Sequence, residues 1–214
     1  MSKNLANYRR VYSKGKLLET EIPSNPMELF KDWFEEVEEG RDPMEVNAMT
    51  ISTIGKDGYP KNRVVLLKEF TTEGFIFYTN YASDKGQALS HNPHICISFF
   101  WPQMERQVII KGKAEKYSEE KAIEYFNSRP RGSQLGAWAS NQSSEIKSRE
   151  VLENRLKELE EEYEGKEVPK PDSWGGYLVR PIDFEFWQGR PNRLHDRIYF
   201  EVKDNHWKFK RLAP

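Results

Sequence analysis

Residues 46–80 read VNAMTISTI (46–54), GKDG (55–58), YPKNRVVLLKEF (59–70), TTEG (71–74) and FIFYTN (75–80). β-Branched and aromatic residues fill the first, third and fifth pieces, and glycine-bearing tetrads separate them, the pattern of strands joined by tight turns. HICISFFW (94–101) and RQVIIKGKAEKY (106–117) predict a further pair around Pro102, with a short helix over 84–92 ahead of them. The same texture returns in GYLVRPIDFEFWQG (176–189), DRIYFEV (196–202) and HWKFKRL (206–212), the last two joined by a KDN turn. Strand follows strand without regular alternation with helices, which points to an antiparallel sheet. A β-barrel or strongly curved sheet, closed by strands from both ends of the chain and rimmed by helices, fits this order. Late strands must pair with early ones, so residues 24–214 are expected to form one mainly β (α+β) domain.

The helices carry their own signals. Asn25 as cap, Pro26 at the first helical position and Glu28 three past the cap predict a helix start. Phe30, Trp33, Phe34 and Val37 follow at helical spacing, and Gly40 ends it. Helices are also expected over 118–128, 132–139 and 144–163, the last with Leu152, Leu156, Leu159 and Tyr163 on one stripe and a solvated Glu/Lys face. EVPKP (167–171) reads as a linker. Residues 1–23 read as a mobile basic arm, because Lys3, Arg9, Arg10, Lys14 and Lys16 meet no acid in the first 18 residues.

Charge excludes some functions. With 33 Lys plus Arg against 34 Asp plus Glu, the formal net charge is -1, so nothing global draws the chain to nucleic acid. No apolar run approaches the roughly 20 residues that span a bilayer. The one cysteine, Cys96, cannot form an intrachain disulfide and sits in an apolar run, where it reads as a small core residue. The expectation is a soluble cytoplasmic protein with no membrane partner.

Three clusters could carry chemistry. Arg63 and Lys68 bracket four apolar residues; in a regular strand this odd offset turns them to opposite faces, about 17 Å apart. They then serve two anions, or one is a solvated strand end. Tyr125, Arg129 and Ser133 recur at four-residue intervals across a helix junction, where they could converge on a phosphate or merely form a polar junction. Trp187, Arg190, Arg193, His195, Asp196 and Arg197 crowd one turn between two strands. A turn does not need three arginines and a histidine, and loops held on a sheet are where binding groups concentrate. There is no G-x-G-x-x-G, P-loop, H-E-x-x-H or G-x-S-x-G motif. His91 and His94 flank Asn92-Pro93 without an apparent third ligand and read as loop histidines, so no metal is expected.

Taken in order, RVVLLK, YTN with SDKG, ERQV, YFNSRPRGSQLGAWAS-NQSS, EVPKP with SWGGY, FWQG, RLHDR and the terminal RLAP resemble the pyridoxine (pyridoxamine) 5′-phosphate oxidase family. The resemblance runs along nearly the whole chain, and WQG followed by RLHDR is its most specific part. It implies an FMN-binding split β-barrel with peripheral helices, working as a homodimer with flavin between the chains. It also implies oxidation of pyridoxine or pyridoxamine 5′-phosphate to pyridoxal 5′-phosphate, with dioxygen reduced to hydrogen peroxide.

Carried over by position, the resemblance implies FMN contacts from Arg63, Val64, Val65, Leu66, Leu67, Lys68, Tyr78, Thr79, Lys85, Gln107, Gln142, Ser143, Trp187 and Arg197. It puts Lys68, Tyr125, Arg129 and Ser133 on the substrate phosphate, and Arg193, Leu194 and His195 at the substrate ring, with Arg193 and His195 catalytic. Arg9, Arg10 and Tyr12 match a segment that closes over the site. His195 is implied as a base or as a hydrogen-bond donor to the ring oxygen. Several relatives have Arg where this chain has Asp84, although Ser83-Asp84 also reads as a helix N-cap that would aim N–H groups at the FMN phosphate. A flavin reductase on the same fold would leave the second phosphate cluster without a task, and a non-catalytic FMN or pyridoxal-phosphate carrier would leave RLHDR without one.

Overall fold

In the computed structural model, which describes residues 1–40 and 45–214, Asn25 starts the first helix as its sequence suggests. Its side-chain oxygen accepts the Met27 N–H at 3.0 Å, and α1 (Pro26–Glu39) buries Leu29, Phe30, Trp33 and Val37. The strands are β1 (Ala48–Ile54), β2 (Pro60–Leu66), β3 (Glu69–Thr71), β4 (Gly74–Asn80), β5 (His94–Trp101), β6 (Arg106–Lys116), β7 (Trp174–Gln188), β8 (Asp196–Lys203) and β9 (His206–Leu212). They hydrogen-bond in the order β2-β1-β5-β6-β7-β4-β3, with β8 pairing β7 and β9 pairing β8. The remaining helices are α2 (Asp84–His91), α3 (Glu119–Ser128), α4 (Arg131–Ala139) and α5 (Arg149–Glu162). The mainly β reading with added helices therefore holds.

The contacts divide the chain into two compact units. One comprises Met1–Thr50, Cys96–Lys111 and Ile182–Pro214; the other comprises Ile51–Ile95 and Gly112–Pro181. In the first, Phe30 packs 5.1 Å from Phe99, and Trp33 meets Phe186 edge-on at 5.3 Å. Phe184, Phe186, Ile198 and Phe200 are fully buried. Strand alternation then turns Glu185, Trp187, Arg197 and Tyr199 to the opposite face, and the register sets Trp187 beside Arg197. The KDN turn is a two-residue hairpin with Asp204 and Asn205 at φ 52 and 60, the left-handed pair that suits the strand twist.

In the second unit, β4 pairs antiparallel with β3 and β7, Tyr78 facing Gly176. A Cβ at Gly176 would lie 2.9 Å from the Tyr78 ring, so only glycine lets Tyr78 lie where it does. Phe126, Leu135, Leu159, Val168 and Trp174 form a buried cluster that ties α3, α4 and α5 together.

Three expectations change. The strand expected over 59–70 breaks after Leu66: Lys68 N–H donates to Ile76 O at 2.9 Å and the chain re-enters the sheet only at Glu69. The last long helix begins at Arg149 rather than 144, because Asn141–Ser144 forms a turn closed by Ser144 N–H on Asn141 O at 3.0 Å, with Ser143 at φ 73. The arm expected over 1–23 is anchored from Ser13 onward. Leu17 is buried, and Glu19–Glu21 forms a 3-10 turn.

Candidate active site

Most of the expected binding residues meet in one cavity of about 850 Å³ in the second unit. Arg63, Val64, Val65, Leu66, Lys68, Tyr78, Thr79, Lys85, Tyr125, Arg129, Ser133 and Gln142 line it. Arg63 and Lys68 thus share a cavity, contrary to the opposite faces expected from a regular strand. The break at Leu67 resets the alternation, and Leu67 itself goes into the core at 3% exposure rather than into the lining. Ser143 does not line the cavity; its hydroxyl oxygen accepts the Asp84 N–H at 3.3 Å. The spacing argument did not single out Asn80, Gly136, Ala137, Ser140 or Trp174, which also line it. Trp174 had a readable signal as the aromatic ahead of two glycines in SWGGY.

The wall holds four cations, Arg63, Lys68, Lys85 and Arg129, and no carboxylate. They fall into two groups. Lys85 is 9% exposed, with its ammonium on Thr79 Oγ1 (3.2 Å), Ser83 Oγ (3.4 Å) and Gln142 Oε1 (2.7 Å). Burial, then the nearby Arg63, pulls it down to about 8. Arg63 donates to Thr53 Oγ1 at 2.5 Å, and burial lowers its pKa as well. Ser83 caps α2 by accepting the Gly86 N–H. Asp84, the first residue of the helix, is ion-paired with Lys61.

The second group is built on aromatic rings. Tyr78, Tyr125 and Trp174 stack, with Tyr78 4.2 Å from Tyr125 and 5.3 Å from Trp174. Arg129 lies 4.8 Å over the Trp174 ring, and Lys68 6.0 Å over Tyr125. Burial lowers the Arg129 pKa and raises Tyr78 to about 12. The Arg129 Nη1 is buried without a hydrogen-bond partner. A desolvated guanidinium with an unmet donor is costly to a folded chain and is resolved by an anion. The Tyr125, Arg129 and Ser133 set does converge on one cavity.

The other expected residues lie in the first unit. His195 Nδ1 accepts the Arg190 N–H at 3.1 Å, and its ring sits 4.7 Å from Trp187 and 5.7 Å from Tyr12. Burial, then Arg193, lowers the His195 pKa, while Asp196 opposes. Arg193 and Leu194 are exposed, and Asn192 and Arg193 stand at φ 58 and 62, a strained pair for non-glycine residues. Arg197 pairs with Glu185 at 2.8 Å and donates to Ala213 O. Gln107 donates to Ser98 Oγ at 3.1 Å. Arg9 and Arg10 are exposed. Asp196 is a junction: it accepts the Leu17 N–H at 3.1 Å and Arg211 at 2.7 Å, and lies 3.6 Å from Arg190.

The profile of the family described as pyridoxamine 5′-phosphate oxidase matches residues 34–163, and that of the pyridoxine 5′-phosphate oxidase C-terminal dimerisation region matches residues 174–214. The chain belongs to the pyridoxamine 5′-phosphate oxidase family. It is 60% identical to the pyridoxine/pyridoxamine 5′-phosphate oxidase of Christiangramia forsetii over the whole of both chains. To the protein of that name in Acaryochloris marina it is 49% identical, over 99% of this chain and 96% of that one. Among solved structures, PhzG from Burkholderia lata, in complex with tetrahydrophenazine-1-carboxylic acid, superposes with a TM-score of 0.87 at 29% identity, over 94% of this chain and all of that one. The fold is therefore that of the family's split β-barrel proteins. Asp84, the position where the resemblance leads one to expect arginine, is the residue that pairs with Lys61.

Proposed function

We propose that the protein is an FMN-dependent oxidase converting pyridoxine or pyridoxamine 5′-phosphate to pyridoxal 5′-phosphate, with dioxygen as the electron acceptor. The observation that carries this reading is the cavity with four cations, no carboxylate and an unmet Arg129 donor. Two phosphates need two cationic groups. A flavin reductase would use only one of them, and the 60% identity to a named oxidase over the full chain supports the oxidase.

The residues fit the cofactor: Lys85 is desolvated, charged and matched by no wall carboxylate, with the N-terminus of α2 beside it. Arg63, Thr79, Lys85 and Gln142 hold the FMN phosphate. Lys68, Tyr125, Arg129 and Ser133 hold the substrate phosphate, with the guanidinium fork giving direction and the hydroxyls filling the remaining acceptors. Bound FMN would supply the redox chemistry, accepting hydride from the substrate's 4′ carbon and being reoxidised by dioxygen to hydrogen peroxide, with the second proton coming from the substrate's hydroxyl or amine.

His195 is neutral at neutral pH, since burial and Arg193 both disfavour its cation. Its Nδ1 accepts a backbone N–H, so the ring proton is on Nε2. His195 therefore donates from Nε2 to the substrate ring oxygen, and Arg193 steers the ring. In a homodimer with flavin between the chains, as the resemblance implies, Gln107, Trp187 and Arg197 would add flavin contacts, and Arg9, Arg10 and Tyr12 would cover the substrate. The chain works as a homodimer, a reading supported by the match of residues 174–214 to a C-terminal dimerisation region, and a cytoplasmic place belongs to the same proposal. Among the described residues no helix is long and apolar enough to cross a membrane. Oxygen uptake with pyridoxine 5′-phosphate as sole substrate tests the reading, together with identification of the heat-released flavin. No uptake, or FAD at full occupancy, contradicts it.

A further inference from the structure

Glu105 opens the ERQV motif and has no role in the function derived above, yet it is one of the most enclosed charged residues in the chain at 2% exposure. It stands at φ 56, a left-handed conformation uncommon for a non-glycine residue. Its backbone carbonyl accepts the Gly189 N–H at 2.7 Å and the Gln188 amide at 3.3 Å, which pins it to the end of β7. Its carboxylate Oε2 accepts two consecutive backbone N–H groups, Ser13 at 2.7 Å and Lys14 at 2.9 Å. A buried carboxylate is tolerable only when such donors satisfy it, and here both come from the N-terminal segment.

Tyr12 directly precedes those donors. Its ring stands edge-on to Trp187 at 5.7 Å and to His195 at 5.7 Å. Gly189 makes the seat: a Cβ there would lie 2.9 Å from Tyr12 Cγ and 3.0 Å from Glu105 Cβ. Glu105, Gly189 and Tyr12 therefore interlock. The next fixed points, Arg190 on Gly15 O at 3.2 Å and Leu17 N–H on Asp196, come after Ser13 and Lys14 along the chain, further from Tyr12. Loss of Glu105 frees the stretch that sets the ring, while these later anchors stay in place.

We propose that the Glu105 carboxylate is a latch that positions Tyr12 over His195 and thereby sets affinity for the substrate. The substrate part rests on the proposed function; the latch does not. Glu105 is a positioning residue and touches no reacting atom.

The test uses the FMN-loaded enzyme with Glu105→Gly, which removes the carboxylate and relieves the positive φ, and Glu105→Gln, which keeps one oxygen acceptor. Hydrogen bonds to charged groups typically contribute about 1.5–3 kcal/mol, so tryptic cleavage after Lys14 should quicken by roughly tenfold or more in Glu105→Gly. KM for pyridoxine 5′-phosphate should rise by about tenfold with kcat within about twofold, and Glu105→Gln should fall between on both. The melting temperature of Glu105→Gly should stay within a few degrees of wild type, which separates the latch from general unfolding. Cleavage as slow as in wild type overturns the latch. Faster cleavage with unchanged KM overturns its link to substrate affinity. If wild type oxidises no pyridoxine 5′-phosphate, the proposed function fails, and the cleavage comparison alone decides the latch.

Discussion

Lys85 is buried among neutral oxygen atoms, and burial pulls its ammonium down from the usual lysine range to about 8. A phosphate beside it favours the charged form and lifts that value back up. Flavin binding therefore takes up a proton above about 8, and FMN affinity falls as the pH climbs beyond that value. Riboflavin, without the phosphate, should show a much flatter profile, and Lys85→Arg should flatten that of FMN, since arginine stays charged. Fluorescence titrations from pH 7.5 to 10 check this; equal slopes for FMN and riboflavin contradict it. His195 has the opposite consequence at the acid end. Its folded pKa lies below 6.5, so the stability it contributes is complete above 6.5 and is lost as the pH falls through the lowered value.

Asp84 belongs to the same scale. Its carboxylate is held by Lys61, which lowers its pKa, and both side chains are substantially exposed. An exposed pair is screened by solvent and loosely held, so it only mutes the acid's repulsion of a nearby phosphate. Asp84→Arg should tighten FMN binding by about threefold to tenfold and leave single-turnover flavin reduction at saturating FMN unchanged. A large fall in that reduction rate would show the residue to be misplaced in this account.

At the scale of elements, the cluster joining α3, α4 and α5 holds Arg129 and Ser133 in position. Leu159 is the one buried residue of α5, at 1% exposure; Leu152 and Leu156 are half-buried beside it, and the other face is laced with exposed pairs such as Arg149–Glu153. Leu159→Ala should cost about 2–5 kcal/mol by urea denaturation, an outcome that a surface helix without a structural role would not give. Much of this architecture was readable. The Asn25 cap, the Ser83 cap and the KDN hairpin are local, and local chemistry decides them. What was unreadable depended on breaks in regularity. The odd spacing of Arg63 and Lys68 argued for opposite faces because nothing in RVVLLK announces the interruption at Leu67. The delayed start of α5 was partly legible, since the Asn and Ser residues of NQSS favour the turn that forms there. Glu105 could not be read from ERQV at all: its partners, Ser13 and Lys14, are about ninety residues away in sequence.

For the whole molecule, the match of residues 174–214 to a C-terminal dimerisation region gives the assembly a direct test. Light scattering should return the mass of two chains. FMN at a hundredfold its Kd should stabilise the folded protein by about 2.7 kcal/mol through mass action, seen as a rise in melting temperature. A fully active monomer contradicts this assembly.

The central claim is that one cavity carries two phosphate sites and that Arg129 serves the substrate's. Two or three charge-assisted hydrogen bonds at about 1.5–3 kcal/mol each, discounted for desolvation of the phosphate, leave a net effect on the order of 3–5 kcal/mol. That equals roughly a hundredfold to several-thousandfold in kcat/KM. The measurement is kcat/KM for pyridoxine 5′-phosphate and for pyridoxine, on wild type and on Arg129→Ala. The account predicts that free pyridoxine is a very poor substrate, and that Arg129→Ala loses most of its activity on the phosphate ester while changing little on the alcohol. An equal fall on both would assign Arg129 to the fold or the flavin and contradict the second phosphate site.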